Sequence, residues 1–108
     1  MSDFEAYEAF TRGHALLRSR DFHQAAIALQ RAQRLEPDKA SVREALGRAY
    51  MGCRDFERAR QEFEAAVELG PTDGYAHFGL AKALEHLGDR KLAERHFLLA
   101  RCFQLGLA

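Results

Sequence analysis

The same set of residues is written three times along this chain at a fixed spacing of 34. Gly13 returns as Gly47 and then as Ala81, Ala25 as Ala59 and Ala93, and Ala32 as Ala66 and Ala100. Leu29 is answered by Phe63 and Phe97, Asp21 by Asp55 and Asp89, Leu35 by Leu69 and Phe103, and Pro37 by Pro71. Self-similarity at such a period, with small residues in register, marks supersecondary units that bury their apolar faces on one another. The chain therefore reads as one all-α domain over residues 1–108, with repeats at about 6–39, 40–73 and 74–107.

Each repeat divides into two helices. The first pair is predicted at about Asp3 to Arg18 and Phe22 to Leu35, turning through Ser19-Arg20-Asp21. Ser2 with Glu5, and Asp21 with Gln24, have capping-box spacing. Ala25, Ala28, Leu29 and Ala32 recur at spacings of three and four, which is one helical face. Pro37 closes the unit, because the residue before a proline avoids helical dihedrals. The second pair is predicted at about Lys39 to Gly52 and Phe56 to Leu69, and the third at about Gly74 to Leu87 and Arg90 to Gln104.

The recurring small residues have a packing reason. Glycine inside a helix costs roughly 1 kcal/mol against alanine, so Gly13 and Gly47 at equivalent places call for close helix contact. Ala25, Ala59 and Ala93 supply the matching gap on the second helices, and Ala32, Ala66 and Ala100 let each second helix meet the next pair. Leu16, Tyr50 and Leu84, with Leu29, Phe63 and Phe97, fill the space beside each crossing.

Composition narrows the function. Acidic and basic residues balance at 16 each, which gives no general attraction to nucleic acid or to a membrane surface. No run of 18 apolar residues is present, and the acidic start Ser2-Asp3-Phe4-Glu5 is unlike a secretory signal. Cys53 and Cys102 form no CxxC, so free thiols and a cytoplasmic location are expected. His14, His23, His77, His86 and His96 never take HExxH spacing. Cys53 beside Arg54 reads as a bystander, and no phosphate-binding glycine loop occurs. Catalytic residues, metal ligands and cofactors are thus not expected.

With Leu46-Gly47, Tyr50, Ala59, Phe63, Ala66 and Pro71 all in one register, the pattern resembles the tetratricopeptide repeat (TPR) over about Ala6 to Leu105. The early tryptophan common in that family is replaced by Ala9, Arg43 and His77, and Leu105 stands where a third proline is expected. The resemblance implies a TPR-type α-solenoid, a right-handed superhelix of three antiparallel helix pairs. Its first helices would line a concave groove that holds a peptide or a partner helix. It also implies a protein-interaction scaffold and no enzyme.

On that register the groove rows are Tyr7, Ser41 and Tyr75; Phe10, Glu44 and Phe78; Thr11, Ala45 and Gly79; and His14, Arg48 and Lys82, with Arg18 and His86 nearby. Small Thr11, Ala45 and Gly79 would leave room for a ligand backbone. The expected peptide site is Tyr7, Phe10, His14, Arg48, Tyr75, Phe78 and Lys82, with an acidic segment as ligand. A TPR subclass clamps chaperone C-terminal carboxylates with lysine, asparagine and arginine. The matching places here are Phe10, His14, Ala45, Tyr75 and Gly79, and none matches, so that clamp is not expected. RNA-reading pentatricopeptide arrays are disfavoured by the strict period and zero net charge.

The last predicted helix carries Leu92, Phe97, Leu98, Leu99 and Phe103, followed by Leu105 and Leu107. These point in more directions than one neighbouring helix covers. An exposed apolar patch marks an interface, so self-association is the alternative function. The expected form is a homodimer through Leu98, Leu99, Phe103 and Leu105.

Overall fold

The computed structural model describes the backbone of residues 2–104 and 106. The cap expected of the Ser2 side chain, and the contributions of Leu105 and Leu107, lie outside the described residues. Six helices follow in order: α1 Ser2–Arg18, α2 Phe22–Leu35, α3 Ala40–Gly52, α4 Phe56–Leu69, α5 Gly74–His86 and α6 Arg90–Gln104. Only the starts of α1 and α3 and the end of α5 differ from expectation, each by one residue, as frayed helix ends do. Each helix packs on the next, α1 also touches α3, and α3 touches α5. The result is an array of three pairs in one row, 41 × 27 × 20 Å in extent, with no strand among the described residues.

The starts of α4, α5 and α6 are capped by aspartates. Asp55 accepts a hydrogen bond from the Arg58 amide, Asp73 from the Tyr75 and Ala76 amides, and Asp89 from the Leu92 amide. Asp21 stands in the same place before α2, but its exposed carboxylate accepts no backbone N–H and stays in water. The capping box expected there is absent, and that helix start rests on backbone bonds, such as Ala25 N–H to the Asp21 carbonyl.

The core follows the period. Ala25, Ala59 and Ala93 are buried, as are Ala32, Ala66 and Ala100. A Cβ added to Gly13 would lie 2.5 Å from Leu29 Cγ, and one added to Gly47 would lie 2.8 Å from Phe63 Cε2 and Cζ. Real Cβ atoms do not come so close, so both glycines are imposed by the bulky residue opposite. In the third pair Ala81 holds this slot, and Phe97 is only half-buried. Leu16 is half-buried, and its neighbour Leu17 supplies the buried contact.

His77 occupies the slot given to tryptophan in the family pattern, and it is buried at 4% exposure. Its Nε2–H donates to the Pro71 carbonyl at 2.8 Å, which leaves Nδ1 to accept from His96 Nδ1–H at 2.9 Å. Phe103 stacks on the His77 ring, with centroids 5.4 Å apart. The bonds join the α4–α5 turn, α5 and α6. His96 is held below the ordinary imidazole range, first by burial and then by His77 and Arg95, with Glu64 opposing. Histidine here is a structural tie rather than a surface group.

Candidate functional site: the concave groove

The first helices α1, α3 and α5 stand side by side, and their shared face opens on one cavity of about 1000 Å³. Phe10, His14, Arg48, Tyr75, Phe78 and Lys82 all line it, so six of the seven expected peptide-site residues meet in one place. Tyr7 does not line it. That residue is 67% exposed and borders a neighbouring depression shared with Phe10 and Ser41. Ser41, Glu44, Ala45, Gly79 and His86 also line the main cavity, as their register implies, whereas Thr11 and Arg18 do not.

The aromatic residues have two roles at once. Phe10 is half-buried against the core and meets His14 edge-on, with ring centroids 4.4 Å apart. Phe78 is 46% exposed, meets Phe97 edge-on at 5.7 Å, and carries Lys82 Nζ 5.7 Å above its ring. Tyr75, 71% exposed, follows directly on the α5 start that Asp73 caps. An aromatic side chain fixed by packing loses little further freedom on binding, which is what an anchor surface requires.

Gly79 requires a correction. A Cβ there would lie 2.5 Å from Phe63 Cζ, and closer still to Cε1. The residue is small because the Phe63 ring lies beneath it, so its glycine is explained by packing and not by room for a ligand backbone.

Electrostatics of the groove differ from those of the whole chain. Arg20, Arg48, Arg54 and Lys82 line it against the one carboxyl Glu44. None of the four cations is within ion-pair distance of a carboxylate among the described residues. His14, in the same row as Arg48 and Lys82, is held below the ordinary imidazole range by burial and then by Arg48 and Arg18, which favours its neutral form. Glu44 is pushed up to about 8, first by burial and then by the Asp73 carboxylate, to which its protonated carboxyl donates; Arg48 opposes this.

That shift has a testable consequence. A folded value of about 8, above the ordinary 4.5, means that the stabilising contact needs the proton. Its contribution is complete below pH 4.5 and is lost as pH rises through about 8. Denaturant midpoints across this range are expected to fall with pH in the native chain, and Glu44→Gln should remove that part of the slope. An identical slope in both proteins would show that Glu44 carries no such proton.

One end of the groove is built by turns that the first-helix register does not include. At the turns between paired helices, Arg20 and Phe22, and Arg54 and Phe56, also line the cavity, joined by Met51 and Gly52. The signal was present: each pair recurs at the spacing of 34.

Elsewhere the chemistry is sparse. The Cys53 thiol lies 3.5 Å from His23 Nδ1 and is pushed up by burial and by Asp55, which keeps it protonated and unreactive. Among the described residues there is no group of three or more side chains placed to hold a metal ion, and no helix is long and apolar enough to cross a membrane.

The chain is similar to known proteins in sequence and in fold. Superkiller complex protein 3 of Homo sapiens is 34% identical over 82 residues, which is 76% of this chain and 5% of that protein. Superkiller protein 3 of Schizosaccharomyces pombe is 29% identical over 77 residues, 71% of this chain and 6% of that protein. The chain thus spans only a small part of the curated relatives it matches. Among solved structures, MamA MSR-1 C2 superposes with a TM-score of 0.86 at 25% identity, covering 95% of this chain and 59% of that one. The second TPR of Spaghetti (RPAP3), bound to the HSP90 peptide SRMEEVD, superposes with a TM-score of 0.88 over 92% of each chain, and at 18% identity it speaks for the fold alone. The tetratricopeptide repeat family model matches residues 10–52 and 44–104, and together with the six helices and the repeating core this establishes that the chain belongs to the tetratricopeptide repeat family.

Proposed function

We propose that this domain is a protein-interaction module and not an enzyme, and that its concave groove holds an extended acidic peptide with an aromatic or apolar anchor. The observation that carries this reading is the imbalance inside the groove. Four cations that pair with no carboxylate among the described residues, and two exposed aromatics, Tyr75 and Phe78, face one cavity in a chain of zero net charge. Glu44 and Asp73 share one proton, so the pair sets a single negative charge against the four cations. The RPAP3 relative in fold was solved with the peptide SRMEEVD, but the clamp positions here, Phe10, His14, Ala45, Tyr75 and Gly79, hold none of the expected polar residues. The anion contacts in this chain are therefore assigned to Arg48 and Lys82. The test is the affinity of an acidic peptide with one aromatic residue for the native domain and for an Arg48→Glu, Lys82→Glu variant. Loss of binding supports the groove, and unchanged affinity rejects it.

A second reading has its own observation. Leu98 is 60% exposed, whereas Phe97, Leu99 and Phe103 are half-buried. The apolar face of α6 is thus narrower than the sequence suggests. Leu98 takes the slot of Gln30, which in the first pair donates to the Tyr50 hydroxyl of the following pair at 2.6 Å. On α6 this slot holds an exposed leucine, and that supports self-association through α6. Light scattering decides: a mass independent of concentration, and indifferent to Leu98→Glu with Leu99→Glu, rejects the homodimer.

A further inference from the structure

The two arginines at the turn end of the groove stand in a costly backbone conformation. Arg20 has φ 62° and Arg54 φ 61°, the left-handed region that side chains with a Cβ rarely adopt. The equivalent residue of the third pair is Gly88 at φ 88°, where an added Cβ would meet nothing within 4 Å. Glycine is thus the residue the turn itself favours, and two of the three turns forgo it. Retained strain of this kind points to a use for the side chain.

Both side chains are held in the same way. The Arg20 guanidinium lies 5.3 Å above the centroid of Phe22, and that of Arg54 lies 5.3 Å above the centroid of Phe56. Phe56 is in turn stacked on His86, with centroids 4.1 Å apart and planes 5° from parallel. Neither guanidinium pairs with a carboxylate among the described residues. All five residues line the same cavity as Arg48 and Lys82. The third pair breaks the device, with Gly88 in place of the arginine and Arg90 in place of the phenylalanine.

We infer that Arg20 on Phe22 and Arg54 on Phe56 form a second anion-binding ledge, which takes two acidic side chains of one extended peptide lying in the groove. The inference rests on the groove reading above and adds where the acidic residues must fall. Arg20 follows the end of α1 and Arg54 the end of α3, and these helices touch. Packed helices lie about 8–10 Å apart, and a peptide in the polyproline II form rises about 3.1 Å per residue with three residues per turn, so positions three apart share one face. The two acidic residues should therefore be about three positions apart. A guanidinium stacked on a ring keeps its edge free for a carboxylate and loses little freedom in binding it.

The test uses the whole chain and two labelled glutamate–glycine peptides with one tryptophan each, equal in composition. One has its glutamates three positions apart and the other has them adjacent. The native protein should prefer the spaced peptide. Arg20→Gly with Arg54→Gly should bind it about tenfold more weakly and lose the preference. That variant keeps its fold, since glycine suits the left-handed turn, and its melting temperature should be unchanged or higher. Arg20→Gln with Arg54→Gln, which keeps the Cβ, should show the same loss. Native affinity and spacing preference in both variants would overturn the ledge. If those variants bind normally while Arg48→Glu with Lys82→Glu abolishes binding, the ledge falls and the groove stands. If neither peptide binds the native protein, both fall.

Discussion

Replacing Gly47 by leucine should lower the melting temperature more than any change on the groove surface. The Phe63 ring, 3% exposed, is wedged between two backbones, with Gly47 of α3 on one side and Gly79 of α5 on the other. Even a methyl group at Gly47 would stand 2.8 Å from the ring. The ring cannot retreat from Gly47 toward Gly79, because that side is closed as well. Overpacking of this kind costs about 1–3 kcal/mol or more, against a total stability of about 5–15 kcal/mol. For a domain of this size each 1 kcal/mol shifts the melting point by roughly 4–8 °C. Gly47→Ala is the milder form, and combining it with Phe63→Ala should relieve the clash, since the ring atoms of Phe63 are what the added Cβ meets. Thermal melts followed by circular dichroism give all three values. A folded Gly47→Leu protein with native melting would overturn the packing account.

Charge reversal in the groove should have the largest effect on binding and little on folding. Arg48 and Lys82 are exposed, so their replacement leaves the core intact. In Arg48→Glu with Lys82→Glu, two attractive contacts to an acidic ligand become repulsive beside the Glu44 and Asp73 carboxyls. An exposed charge pair is worth about 0.2–1 kcal/mol, and the reversal of two applies roughly twice that range per site. The affinity should fall by about tenfold to a hundredfold at low salt. The native protein should itself bind more weakly as salt rises, since exposed charges are screened over about 10 Å at 0.1 M. The variant should show a flat or inverted salt dependence. Isothermal titration at two salt concentrations measures both, with melting temperature as the control for folding.

The parts legible in the sequence were those that repeat. A slot filled three times by alanine, or by glycine twice, reports one packing geometry three times over, so the helix order and the core emerged together. The groove register emerged for the same reason, because α1, α3 and α5 present equivalent positions to one face. What stayed hidden depends on contacts that no period encodes. His77 looks like a surface histidine until Pro71 and His96 close around it. Gly79 looks like room for a ligand until Phe63 is seen beneath it. Asp21 and Asp55 are identical in register, yet only Asp55 accepts a backbone N–H at its helix start. Glu44 and His14 read as ordinary charges, and burial with their neighbours shifts each toward its neutral form.

Amide chemical shifts during a peptide titration report whether the proposed partner lies in the concave groove. With an acidic peptide carrying one aromatic residue, the largest shifts should fall on Arg48, Tyr75, Phe78 and Lys82 and extend to Arg20 and Arg54, while Leu98 and Leu99 on α6 stay unmoved. Shifts confined to α6, or to the outer faces of α2 and α4, with the groove residues unmoved, would contradict the account.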